Sequence, residues 1–377
     1  MKIELNTKEL GSALTVASVA IARPAVIPAT NYVKVTANKE KQALYLEGTS
    51  AESNVITVVR NIGVETDDVF LLDPKFLIDA MKKTDASTIV ISRDDASPLI
   101  QLKLGKAKFA VNGMRPTDFP KYGTVGNEGV VFEMSVEDLE DIAKNVGYAV
   151  SHKDHRPVLC GVNISSDGSQ VNCCATDSFR LGRKTYDNIK VPEFRVTVPQ
   201  KALENALSIF KGKEKVKVRV TPKKISFAGE DTVFTSSLLE GAFPDVDRLI
   251  PDSSSAYATR IKVNRAELLG MVDRSTLFYS VTEMPNIRFN IENDSVDIFC
   301  ENAELGNYDE RLESCVIEGD NNIHFAVDPT YMRDALKSIH EENVWLNVVG
   351  DLKPIIIEGE KEGNKHIALV LPMRTYN

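Results

Sequence analysis

Apolar residues along this chain mostly alternate with polar ones in short runs, and a few stretches switch to helical spacing. Lys2 to Leu5, Val131 to Met134 and Arg260 to Val263 read as short strands, and each runs directly into a helix start. Those starts share one grammar. Asn6-Thr7-Lys8-Glu9-Leu10, Ser135-Val136-Glu137-Asp138-Leu139 and Asn264-Arg265-Ala266-Glu267-Leu268 each open on a capping residue, carry a carboxylate three positions on, and then place a leucine. The first side chain accepts from an orphan amide, and the acid suits the positive end of the helix. From position 6 to 135 and from 135 to 264 the interval is 129 residues each time.

A second helix signature repeats in the same order. Asp73-Pro74-Lys75-Phe76-Leu77 through Met81, Pro199-Gln200-Lys201-Ala202-Leu203 through Leu207, and Asp328-Pro329-Thr330-Tyr331-Met332 through Leu336 each place apolar residues on one face. A proline stands at or near each start, where its missing N–H costs nothing. Further alternating runs, such as Ala43 to Leu46, Thr88 to Ile91, Ile100 to Leu104, Val216 to Val220, Ile225 to Ala228, Ile287 to Ile291 and Val296 to Cys300, predict strands bounded by turn residues. The chain therefore reads as α+β, with three equivalent units of two helices and antiparallel strands. Polar, turn-rich stretches at Gly126-Asn127-Glu128-Gly129 and Asp252-Ser253-Ser254-Ser255 set the domains at 1–126, 127–254 and 255–377.

Composition changes this picture little. A chain of 377 residues with 43% hydrophobic and 26% charged content can build ample cores. Five unevenly spaced cysteines, Cys160, Cys173, Cys174, Cys300 and Cys315, read as small buried hydrophobes of a reducing compartment, and no zinc spacing is present. The N-terminus has no apolar signal core and no run is long enough to span a membrane, so a cytoplasmic protein is expected. A net charge of −9 speaks against nucleic-acid binding unless basic residues are segregated onto one face.

Local motifs supply the rest. Arg156-Pro157-Val158-Leu159-Cys160-Gly161-Val162, Ala175-Thr176-Asp177-Ser178-Phe179-Arg180-Leu181, Glu240-Gly241-Ala242-Phe243-Pro244-Asp245 and the terminal Val370-Leu371-Pro372-Met373-Arg374 occur in that order. Together with the threefold repeat they resemble the beta subunit of bacterial DNA polymerase III, the sliding clamp, over the whole chain. The corresponding family segments are R-P-x-L-x-G-V, A-T-D-G-H-R-L, E-G-x-F-P-D and V-M-P-M-R. Departures stand at Ser178 and Phe179, where a Gly-His or Ser-His pair is usual, at Cys160, and at the end, Thr375-Tyr376-Asn377. They bear on partner preference, or mark a divergent, second or mobile-element clamp.

The resemblance implies a homodimeric ring of clamp domains that encircles double-stranded DNA without reading bases. It implies no catalysis and no cofactor or metal. By the same likeness Arg23, Lys75, Lys153, Arg156 and Lys201 would face DNA. A pocket between the second and third domains would take peptides from the DNA polymerase III catalytic subunit, the clamp loader and other clamp-binding-motif proteins. Its lining would be Leu159, Thr176, Ser178, Arg180, Leu181, Pro244, Arg248, Leu249, Val370, Leu371, Pro372, Met373 and Arg374. Phe109 and Val111 would meet Leu277 and Phe278 of the second copy at the dimer interface. Two rivals stand beside this reading. One is an enzyme using Asp177 as acid and Arg180 as anion clamp, against which no Walker, G-x-G-x-x-G, H-E-x-x-H or G-x-S-x-G motif is found. The other is an interaction scaffold that never encircles DNA. His152 and His155 lack a third ligand for a metal.

Overall fold

The structure, a computed structural model, describes residues 1–21, 27–94, 99–114, 116–123, 125–126, 128–251, 256–278, 286–292, 295–312, 314–360 and 365–374. Arg23, the whole of the second expected linker (252–255), Asn127 of the first, and Thr375 to Asn377 lie outside them. Packing divides the chain into two compact units, Met1–Val136 with Lys201–Leu238 and Glu137–Gln200 with Leu239–Asn377.

The first unit holds two sheets. One has the order β1 (Lys2–Asn6), β6 (Thr88–Arg93), β7 (Leu99–Leu104), β8 (Ala107–Asn112). The other runs β5 (Asp68–Leu72), β2 (Val33–Asn38), β3 (Ala43–Thr49), β4 (Ser53–Arg60), then β16 (Thr232–Ser237), β15 (Lys224–Ala228), β14 (Lys215–Val220) and β9 (Val130–Ser135). Helices α1 (Thr7–Ser18) and α2 (Pro74–Lys82) lie in the first repeat, and α4 (Gln200–Phe210) belongs to the second. The expected caps at Asn6 and Asn264 are in place, Asn6 accepting from the amides of Lys8 and Glu9 and Asn264 from that of Glu267, and Asp73 caps α2 in the same way through the amides of Lys75 and Phe76. Leu10, Ala13, Leu14 and Ala17 are the buried face of α1. Strand β3 runs so close beneath this helix that a Cβ on Gly48 would lie 1.8 Å from the Ala17 carbonyl oxygen, so only glycine fits.

The second unit repeats the plan. A long sheet runs β13 (Phe194–Pro199), β10 (Gly161–Ser166), β11 (Val171–Thr176), β12 (Arg180–Tyr186), then β25 (His366–Val370), β24 (Ile355–Gly359), β23 (Asn343–Val348), β17 (Thr259–Asn264) and β21 (Cys315–Gly319). A four-stranded sheet runs β20 (Gly306–Arg311), β19 (Ser295–Asn302), β18 (Ile287–Glu292), β22 (Asn322–Val327). Between these sheets, α5 (Arg265–Ser275) and α6 (Pro329–Ser338) share a core with Phe289 and Phe325, whose rings stack at 4.8 Å.

Every strand expected from alternation is present, and the three repeats recur with two helices each. The central helix departs from its counterparts. It is α-helical over α3 (Val136–Asp141) and widens to a π turn over Ile142–Val146. The Gln200 amide donates to the Ala143 carbonyl within that turn at 2.7 Å. Gly147 ends the turn, where a Cβ would lie 2.2 Å from Gln200 Oε1. Among the described residues no helix is long and apolar enough to cross a membrane.

Helix α6 carries Tyr331 and Asp334, so its cap sets where those two side chains stand. Asp328 accepts from the amides of Thr330 (2.7 Å) and Tyr331 (3.3 Å). Asp328→Ala should cost about 1 kcal/mol, read as a lowered urea midpoint. An unchanged midpoint would show that Pro329 alone fixes the helix start.

Candidate functional site

The turn between β11 and β12 is built by its own side chains. Asp177 Oδ1 accepts from the amides of Phe179 (2.9 Å) and Arg180 (3.0 Å). Thr176 Oγ1 donates to the Arg180 carbonyl at 2.7 Å and accepts from the Ser178 amide at 3.1 Å. These four bonds hold Ser178 at φ +81°, a left-handed conformation that a side chain ordinarily avoids. The strain explains why a glycine suits this place in the family pattern. Asp177 is thus a structural turn-former, with both its oxygens committed.

Arg180 lies beneath the turn, 7% exposed. Its Nε donates to Asp177 Oδ2 at 2.9 Å and its Nη1 to Asp334 Oδ2 on α6 at 2.7 Å. The guanidinium carbon stands 4.7 Å from the Tyr331 ring centroid and 5.6 Å from that of Tyr148. Burial alone would lower the pKa of Arg180; the two carboxylates outweigh it and raise it above the ordinary value. The guanidinium therefore braces the site internally. Above it Phe179 is 58% exposed and stacks near-parallel with Tyr331 at 6.4 Å. The Phe179 carbonyl accepts from the Leu371 amide at 2.8 Å, which ties the C-terminal segment to the turn.

The pocket residues expected from the sequence fall into two sets. Leu159, Leu181 and Val370 are essentially fully buried, and Thr176 and Arg180 nearly so. They support the site from below. Ser178, Pro244, Arg248, Leu249 and Arg374 are exposed, and Leu371, Pro372 and Met373 are half-buried. Leu371 packs with Phe243, Val246 and Leu369 in a small cluster of its own, and Arg248 pairs with Asp245 at 3.0 Å. Sequence reasoning missed Tyr331 and Asp334. Both lie one turn apart on α6, and their signal was hidden inside a motif read as a helix start.

The other candidates are spread over both units. Lys75 and Lys153 are exposed, and Lys201 is exposed while pairing with Glu204 at 3.3 Å. Arg156 is turned toward the turn between β11 and β12: it pairs with Asp154 and donates to Ser178 Oγ at 2.8 Å. Phe109 and Val111 are half-buried against the core of the first repeat, with Phe109 edge-on to Phe76 at 5.8 Å. Leu277 is 74% exposed, and Phe278 stacks on Tyr308 at 6.1 Å. Among the described residues no group of three His, Cys, Asp or Glu side chains is arranged to hold a metal. Cys173, Cys174 and Cys300 are buried, and burial pushes the Cys174 thiol up to about 12.

Strand β25, which delivers Leu371 to the site, is anchored by a buried polar group. His366 is 3% exposed, and burial, helped by the nearby Lys184, pushes its pKa down from 6.5 to about 4. Asp141 nearby accepts from Lys184, Tyr186 and Asn145; burial works against its ionisation, yet these donors hold it below the usual carboxylate range. Because the fold keeps His366 neutral, acidification protonates the unfolded chain first. The stability this residue contributes is complete above its unfolded pKa of 6.5 and is withdrawn as pH falls toward 4. Between about pH 7 and pH 4 the unfolding free-energy difference between wild type and His366→Gln should shift by on the order of 3 kcal/mol toward the variant. A difference constant with pH would show that the imidazole does not titrate in this window.

Comparison with known proteins agrees with this architecture from end to end. Residues 1–123, 133–245 and 247–374 match the N-terminal, central and C-terminal domain models of the DNA polymerase III beta subunit. The beta sliding clamp of Staphylococcus epidermidis is 28% identical over 367 residues, 95% of each chain, and that of Staphylococcus aureus 27% over the same span. The crystal structure of a DNA polymerase III beta chain from Streptococcus pneumoniae superposes with a TM-score of 0.93 at 23% identity, covering 99% of this chain and 100% of that one. A sliding clamp from Bacillus subtilis gives 0.92 at 24% identity, with full coverage of both. The chain belongs to the DNA polymerase III beta subunit family, the sliding clamps, which are non-catalytic processivity factors of DNA replication.

Proposed function

We propose that two copies of this chain close into a ring around duplex DNA and slide on it. The DNA polymerase III catalytic subunit, the clamp loader and other proteins with a clamp-binding motif would be tethered at the site around Phe179 and Leu371. The match of all three family domains along the chain carries this reading. We read the domains as 1–126, 127–254 and 255–377. Strand edges support the dimer: β8 pairs with β7 alone and β20 with β19 alone among the described residues. Each is an open ladder that a second copy can complete, with Phe109 and Val111 beside the first and Leu277 and Phe278 near the second. Enclosure reconciles DNA with a net charge of −9. A ring holds on by topology, so a few inward cations suffice, and contacts to phosphates alone leave it free to slide.

Loaded on a nicked circular plasmid by its loader, the protein should co-elute with DNA and be released once the plasmid is linearised. Equal retention on both forms would leave a scaffold that does not encircle DNA. Lys75 and Lys201, exposed at the starts of α2 and α4, are the best-placed DNA contacts. Replacing both by Ala should reduce the salt slope of DNA binding by about 0.9 per lost phosphate contact. An unchanged slope removes them from the DNA face.

A further inference from the structure

The third repeat carries a cleft of about 940 Å³ that shares only Met373 and Arg374 with the peptide site. Its floor is the outward face of β18, β19 and β22. Strand register sets Arg288 between Phe299 and Ala326, and Asn290 between Asp297 and His324. The Arg288 guanidinium carbon lies 5.9 Å from the Phe299 ring centroid. One wall is Met373 and Arg374, and the other is Leu352, 64% exposed, with Asp351. The Met373 amide donates to the Ala326 carbonyl at 2.7 Å, so the segment that leaves the peptide site at Leu371 becomes the wall of this cleft.

We propose that the cleft is a continuation of the partner-peptide site, and that it receives an acidic segment flanking a partner's apolar motif. The inference rests on the reading that Phe179 and Leu371 hold that motif. Charge favours an acidic occupant. Of the side chains lining this cleft Arg288 and Arg374 are cationic and Asp351 is anionic, while Asp297, beside Asn290 on the floor, is paired with Arg311 at 2.6 Å. His324 is shared with Glu292 at 3.4 Å, so the two arginines carry the recognition. A planar guanidinium matches a carboxylate in two parallel hydrogen bonds, and one lying by an aromatic ring is already oriented for it. Phe299 and Leu352 offer apolar surface to the side chain beside the acid.

The test uses the full-length protein and labelled peptides sharing one apolar clamp motif. One has neutral flanks, one an acidic N-terminal flank and one an acidic C-terminal flank, and anisotropy is read at low salt. One acidic peptide should bind about five-fold tighter than the neutral one, and the gap should close as salt rises. Arg288→Ser should abolish the gap without changing the affinity of the neutral peptide. Equal affinities on the wild type, or a gap that survives Arg288→Ser, would overturn the proposal. Leu249→Asp separates it from the reading beneath. If the neutral peptide binds that variant as it binds wild type, the peptide site itself is misplaced, whatever the flanks do.

Discussion

Unpaired strand edges are the constraint around which this protein is built. A β-strand with one free side presents a row of donors and acceptors that must be paired, covered or charged. Two devices answer it. Sheets run across the repeat boundaries: β4 continues into β16, and β12 into β25. After the last strand of each repeat the chain also crosses back to cover another edge. Leu71 donates its amide to Met114, Leu239 to Thr197, and Met373 to Ala326. The third of these gives the C-terminal segment a reason to be where it is. Met373 follows the last strand of its repeat as Met114 and Leu239 follow theirs, and the same pairing places it along the rim of the candidate site.

The ladder between β12 and β25 also explains the division of labour within the site. Arg180 pairs with Val370 in register, and one residue further out Leu371 is tied to Phe179. Both faces of this ladder are covered, Val370 by the core of the third repeat and Leu181 by a smaller cluster, which is why both disappear from the surface. Arg180 is the exception, a cation in the buried layer. A buried guanidinium is tolerable only when its donors are matched, and Asp177 from the turn and Asp334 from α6 do this at once. The side chain thereby fixes α6 against the turn and sets the distance between Phe179 and Tyr331.

Local chemistry was legible in the sequence and distant pairing was not. Caps at Asn6 and Asn264 are contacts between near neighbours, so spacing alone reveals them. Strand alternation reports burial on one face and located the strands. The partnership of Arg180 with Asp334 spans 154 positions and depends on the register of two repeats, which no local pattern encodes. The π turn at Ile142–Val146 likewise answers to Gln200, far along the chain. Packing does not follow the repeats for the same reason. Sequence repeats mark equivalent pieces, whereas continuous sheets join the strands of one repeat to those of the next, so packing yields two units from three repeats.

The two seams between repeats differ in what they offer a ligand. Their turns are the same object. Ser50 Oγ accepts from the amides of Glu52 and Ser53, as Asp177 does from Phe179 and Arg180. Thr49 donates to the Ser53 carbonyl as Thr176 does to that of Arg180, and the Ser237 amide reaches Glu52 O at 2.8 Å as that of Leu371 reaches Phe179 O. What differs is the side chains hung on this frame. At the first seam they are Glu52, Ser53 and Ser237, and Tyr122 closes over them, its hydroxyl donating to Glu52 O at 2.8 Å and lying 3.0 Å from Ser237 Oγ. At the second they are Phe179, Arg180 and Leu371, with Phe179 largely exposed. A polar seam covered by its own chain has nothing to gain from a ligand. An apolar one, with Phe179 exposed, gains from any segment that removes its surface from water.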